Sequence, residues 1–84
     1  MTDEQYIKKT STELNRLKKI YSVHTCWDLN QIGYLIHLLE KKNPTNIHLP
    51  AFRQKLSYQK TLPLPRNRWI WAHTEIETLL EQLQ

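Results

Sequence analysis

Polar side chains of the types that read nucleic-acid bases lie together in the second half of the chain. Arg53, Gln54 and Ser57 fall in a stretch that predicts a short helix from Pro50 to about Tyr58. Arg and Gln form paired hydrogen bonds with guanine and adenine edges in the major groove of DNA. We therefore identify these three residues as candidates for base contact. The alternative is an ordinary amphipathic helix whose polar side faces solvent.

Basic residues that suit phosphate groups surround this helix. No Asp or Glu lies between Lys41 and Thr74, whereas Lys and Arg recur throughout that stretch. A region of one sign between balanced segments predicts one basic face on a small fold, although a solvated, loop-rich region without acids would look the same. Side chains here can contact phosphates and fix the position of a protein on DNA. The candidate phosphate contacts are Lys41, Lys42, Lys55, Tyr58, Lys60, Arg66, Asn67 and Arg68.

Two short strands are predicted on either side of the basic turn. Two leucines alternate with two prolines over residues 62–65, and Trp69-Ile70-Trp71 follows the turn. Proline has no N–H group to give to a ladder, so the first strand is expected at an edge. Residues 60–72 are therefore predicted to form a basic hairpin, which we call the wing. A closing helix over residues 74–83 follows, with Thr74 and Glu77 as its capping box.

Residues 1–22 predict an amphipathic N-terminal helix. Thr2 and Gln5 form a capping box, and no Gly or Pro interrupts the helical pattern. Its apolar stripe is expected to pack on the core, although the spacing leaves open the pairing of two copies or a contact with a protein partner. The stripe consists of Ile7, Leu14, Leu17 and Tyr21.

A second helix is predicted from Asp28, whose side chain caps it and is joined by Gln31 in a capping box. Its broad apolar stripe marks it as the central helix of the core. Gly33 lies inside it, where close approach of another helix would explain a glycine. The segment Ser22–Trp27 breaks the helical pattern and is interpreted as a connection.

Composition excludes several classes of protein. The 84 residues predict one domain, 1–84, with a net charge of +4. One cysteine excludes an internal disulfide framework, and the scattered histidines do not form a metal-binding pattern. One glycine cannot build a phosphate-binding loop, and no catalytic triad or carboxylate pair is evident. We expect a non-enzymatic, cytoplasmic protein without a cofactor, a metal or a membrane span.

The predicted order is winged helix-turn-helix-like: mostly α, with about four helices and a small two-stranded β-hairpin. The run LPLPRNRWIWAHTEIETLL resembles the wing and last helix of small excisionase and phage-regulator proteins, relatives of MerR-type domains. The resemblance covers about residues 49–83. It implies a protein that binds and bends double-stranded DNA, with residues 28–59 as its helix-turn-helix part. It also implies recruitment of a recombinase or of a protein associated with RNA polymerase.

A different class of function fits the same residues. A small adaptor or inhibitor from a mobile element would bind a protein or ribonucleoprotein through the N-terminal helix and exposed aromatic residues. Its basic middle region would then be incidental. Salt separates the two hypotheses, because phosphate contacts weaken steeply with salt whereas an apolar interface does not.

Overall fold

The computed structural model describes residues 2–62 and 68–84. Over these residues the predicted fold class is confirmed, because four helices accompany a small two-stranded antiparallel sheet. None of the described helices is long and apolar enough to cross a lipid bilayer. In chain order the elements are α1 (Asp3–Ile20), β1 (His24–Asp28), α2 (Leu29–Lys42), α3 (Leu49–Gln59), β2 (Arg68–Ala72) and α4 (His73–Leu83).

The N-terminal helix begins at the predicted capping box. The Thr2 hydroxyl accepts a hydrogen bond from the Gln5 N–H at 3.2 Å, and the Gln5 side chain accepts one from the Thr2 N–H at 3.1 Å. These bonds satisfy N–H groups that the first turn of a helix leaves without partners. Leu14 and Leu17 are buried in the core. The prediction that α1 packs on the core is therefore confirmed.

The interpretation of Ser22–Trp27 as a connection is wrong, because His24–Asp28 forms β1. This strand pairs antiparallel with β2, and Thr25 lies opposite Trp71. The β-branched residues that stop the helical pattern also favour a strand, and a five-residue strand shows too little alternation to be separated from a loop.

The predicted strand Trp69–Trp71 lies within β2, but its neighbour is β1 rather than the segment just before it. The two paired strands are separated in sequence by α2 and α3. The first strand of the predicted wing falls mainly on residues 63–67, which lie outside the described residues; Leu62, in a bend, packs against the core. The winged helix-turn-helix arrangement stays a prediction.

The second helix is capped as predicted by Asp28, whose carboxylate accepts a hydrogen bond from the Asn30 N–H at 2.8 Å. Gln31 does not complete a capping box there. Its side-chain amide instead donates to the Thr10 hydroxyl of α1 at 3.1 Å. Since Thr10 is fully buried, this bond ties α1 to α2 inside the protein and satisfies a polar group that burial would otherwise penalise.

The fourth helix begins one residue earlier than predicted, at His73. The Glu75 carboxylate accepts a hydrogen bond from the Ala72 N–H at 3.2 Å, so Glu75 caps the helix. The predicted box of Thr74 and Glu77 is wrong, because Glu77 pairs with Lys18 of α1. Which glutamate caps the helix depends on where β2 ends, since Ala72 is still part of that strand.

One apolar core holds all six elements together. The buried face of the sheet contributes Trp27 and Trp71, and the helices supply mostly leucine and isoleucine. Burial of such side chains contributes roughly 1.5–3 kcal/mol each. The largest side chains with almost no exposure are Trp27, Trp71, Ile32, Leu35, Leu39, Leu49, Ile76 and Leu79.

Replacing Gly33 by Ala is expected to stabilise the protein. A Cβ atom at this position would lie 3.9 Å from Leu56 Cδ2 of α3, which is ordinary van der Waals contact. The close approach of another helix is thus present but does not require glycine. Because glycine is conformationally costly inside a helix, we expect Gly33→Ala to raise the free energy of unfolding by about 0.5–1 kcal/mol. Urea denaturation would measure this change. A lower midpoint for the variant than for the wild type would contradict the conclusion that a Cβ atom fits at this position.

Candidate nucleic-acid interface

The helix α3 has one face fixed to the core and one face open to solvent. Leu49 and Phe52 are buried on the inner face. Arg53, Gln54 and Ser57 are exposed, and helical spacing places them on one outer face. The three predicted base contacts are therefore brought together on a surface that another molecule can reach.

Arg53 is held by an ion pair that no local pattern in the sequence predicts. Its Nη2 and Nε atoms lie 2.9 Å and 3.2 Å from one carboxylate oxygen of Glu40 at the end of α2. Both side chains are 47% exposed. Exposed ion pairs contribute only about 0–1 kcal/mol, so Arg53 can exchange this partner for another acceptor at small cost. Only the packing of α2 against α3 brings the two residues together.

Lys55 is directed toward the protein rather than outward. Its Nζ atom lies 2.5 Å from both carboxylate oxygens of Glu75 and 4.7 Å from the centre of the Trp71 ring. This geometry combines a partly buried ion pair with a cation–π contact and links α3 to β2 and α4. Lys55, predicted as a phosphate contact, is therefore already paired within the protein, because α4 places a carboxylate directly against it.

The other candidate phosphate contacts divide into engaged, exposed and undescribed residues. The Lys42 Nζ atom donates to the carbonyl oxygens of Leu83 and Gln84, each at 2.9 Å, at the C-terminal end of α4. The side chains that remain exposed with neither an ion pair nor a hydrogen bond to any described residue are those of Lys41, Tyr58 and Lys60. Arg66 and Asn67 lie outside the described residues, and Arg68 is the first residue of β2.

A buried glutamine fixes the C-terminal end of α3. Gln59 is 6% exposed, and its side-chain amide donates to the Ile70 carbonyl oxygen of β2 at 2.9 Å. This hydrogen bond gives a partner to a backbone carbonyl group that points away from the sheet at its edge. The sequence pattern places Gln59 among the polar residues of the helix, and nothing local in the sequence indicates that it is buried.

The predicted protein-binding stripe on α1 is not available as one surface. Leu14 and Leu17 are buried, and Ile7 is partly buried against the core. Only Tyr21, at 50% exposure, lies open to solvent. The seven-residue spacing of the stripe reflects packing of α1 on the core.

Aromatic side chains mark the contact of α1 with α2. The Tyr6 and Tyr34 rings lie edge to face with their centres 4.9 Å apart, and the Tyr34 hydroxyl donates to the Asp3 carboxylate at 2.5 Å. That hydrogen bond raises the pKa of Tyr34 above 10. Burial, with the nearby carboxylates of Asp28 and Glu13, raises the pKa of Tyr6. Both hydroxyls therefore stay neutral at physiological pH.

The side chains with metal-ligand chemistry are dispersed. His24 and Cys26 share the exposed face of β1, as their alternate positions require. Throughout residues 2–62 and 68–84, no group of three or more His, Cys, Asp or Glu residues is placed to hold a metal ion.

Comparison with protein-family models, with curated proteins and with solved structures gave no match.

Proposed function

We propose that this chain is a small, non-catalytic protein that binds double-stranded DNA, of the excisionase or transcription-regulator type. The observation that supports the proposal is the outer face of α3, where Arg53, Gln54 and Ser57 are exposed together. The bonds of Lys55 and Gln59 hold the same helix firmly on the core. A rigid element that carries Arg and Gln on one exposed face suits the major groove.

The remaining cations would position α3 rather than read the sequence. Lys41 lies at the end of α2 and Lys60 directly follows α3, and both are exposed. Arg66, which precedes β2 in the sequence, and Arg68, its first residue, would contact the adjacent phosphates or the minor groove, whose negative potential attracts arginine. In this arrangement bases are read by α3 and the backbone is held by the flanking basic residues.

The internal contacts of two lysines lower the number of phosphates that the protein is expected to neutralise. Lys42 and Lys55 are engaged within the protein, and Arg53 is assigned to base contact. Four cations remain for phosphates: Lys41, Lys60, Arg66 and Arg68. Binding to B-DNA changes with salt by about −0.9 per phosphate on logarithmic axes, so the expected slope is about −3.6. Engagement of all seven basic residues in the region would give a slope of about −6.

Selection from a pool of random duplex DNA, followed by binding over a salt series, tests this proposal. We expect an enriched sequence motif and a salt-dependence slope of about −3.6 rather than about −6. The double variant Arg66→Ala/Arg68→Ala should make this slope shallower by about two. Salt-sensitive binding without an enriched motif would indicate a nonspecific basic surface. Failure to bind at low salt would contradict the DNA-binding proposal.

The alternative function, a small adaptor or inhibitor, is favoured by one observation. Four large apolar side chains near the end of α1 and on the sheet are at least half exposed: Ile20, Tyr21, Val23 and Ile70. We call these four residues the open apolar surface. Binding to a protein through this surface would hardly change with salt, in contrast to the slope expected for DNA.

A further inference from the structure

Part of the open apolar surface borders a groove in the described residues. Tyr21 and Ile70 line this groove, which encloses about 410 Å³ between α1 and the exposed face of the sheet. The exposed fractions of the four residues are 60% for Ile20, 50% for Tyr21, 55% for Val23 and 54% for Ile70. Apolar side chains that cluster on a surface, rather than lying singly, typically mark an interface.

The helices cover only one of the two faces of the sheet. Trp27 and Trp71 on one face are buried by the helices, whereas Ile70 on the other face is exposed to the groove. A sheet of two strands is marginally stable in water unless a face is packed. Packing a second molecule on Ile70 would bury apolar area that the described fold leaves in solvent.

Charged residues that line the same groove indicate which kind of molecule would bind there. Glu13 and Arg16 both line the groove from α1. Neither forms an ion pair with another described residue. An acid and a base side by side allow a surface to be complementary to itself, because a two-fold axis that passes between them sets each opposite its counterpart in the second copy. An acidic or a basic partner would meet repulsion from one of the two.

We propose that the open apolar surface is the interface of a symmetric homodimer, formed with a second copy of this chain. Tyr21 and Ile70 pack at its centre, and Glu13 of each copy faces Arg16 of the other. The buried α1 residue Leu14 lies outside this groove, whereas Leu17, at 9% exposure, lines it but offers little apolar area. This inference does not depend on DNA binding; if both proposals hold, the dimer presents two α3 helices to two half-sites.

Sedimentation equilibrium of the DNA-free protein over a concentration series tests the dimer. We expect a reversible monomer–dimer equilibrium that Ile70→Lys weakens about tenfold or more, because it places two charges in an apolar contact. Ile47→Lys is the matched control, since Ile47 is 85% exposed and lies between α2 and α3, away from the groove. It should leave the dimer unchanged. Circular dichroism verifies that each variant is folded.

A charge exchange tests the symmetry. Glu13→Arg and Arg16→Glu should each weaken dimerisation, whereas the double variant should restore it, because both contacts are then oppositely charged again. A wild-type protein that stays monomeric at every concentration would overturn the proposal. So would a dimer unaffected by Ile70→Lys, or a double variant no tighter than the single ones; the open apolar surface would then be left to a different protein.

Discussion

Replacing Trp71 by Ala is expected to destabilise the protein by about 3–5 kcal/mol, the usual cost of removing a large buried aromatic side chain. Trp71 has no exposed area, and its ring also supports the Lys55 ammonium at 4.7 Å. A small domain has a total stability of about 5–15 kcal/mol, so this loss would leave the protein marginally folded. Urea denaturation followed by far-ultraviolet circular dichroism would measure it.

Trp71→Phe provides the informative comparison. The indole N–H of Trp71 is buried and has no hydrogen-bond partner among the described residues. Phenylalanine therefore removes volume but breaks no such bond, and we expect a clearly smaller loss than for alanine. Tyr58→Ala, at a position 63% exposed, should change stability by no more than about 0.5 kcal/mol. Equal effects at Tyr58 and Trp71 would contradict the placement of Trp71 in the core.

The double variant Arg53→Ala/Gln54→Ala is expected to lose at least about 30-fold in affinity for a selected DNA site. Each paired hydrogen bond to a base edge contributes roughly 1–3 kcal/mol of discrimination. Both side chains are exposed, so the fold should be retained. Fluorescence anisotropy with the selected site and a scrambled duplex would measure the loss. The difference in affinity between the selected and the scrambled duplex should nearly disappear in the double variant.

Lys8→Ala is the control for charge, because it also removes one positive charge, from an exposed position on α1. It should lower the affinities for both duplexes slightly and equally. If it matches the double variant, α3 does not read bases. DNA binding by wild type with no effect of either variant would place the interface elsewhere on the protein.

Glu40→Gln should act in the opposite direction. It releases Arg53 from its ion pair and removes an acid beside the proposed DNA-binding face. We expect tighter DNA binding by several-fold at low salt, since like charges near phosphate oppose association. Glu81→Gln changes net charge equally from an exposed site on α4 and should have a smaller effect. In the Arg53→Ala background, the gain from Glu40→Gln should become smaller, because only the removal of the acid then contributes.

The sequence by itself determined the helices and, for the first three, where they begin. Apolar spacing predicts α1 and α2, Thr2 and Asp28 cap them as expected, and Pro50 marks the first turn of α3. These signals are readable because a helix forms from residues three and four positions apart, so its caps and its apolar face are local properties. The tryptophans at 69 and 71 likewise predict β2, since alternation is also local.

Only the tertiary structure decided the partner of β2 and the state of the basic residues. β1 pairs with β2 across α2 and α3, and no local pattern in either strand specifies that match. Lys55 meets Glu75, and Arg53 meets Glu40, through the packing of different helices. A sequence shows which charges are present, but packing decides which remain for a partner, because an ion pair depends on distance in space. Among the described residues, fewer basic side chains are consequently left without a partner than composition suggests.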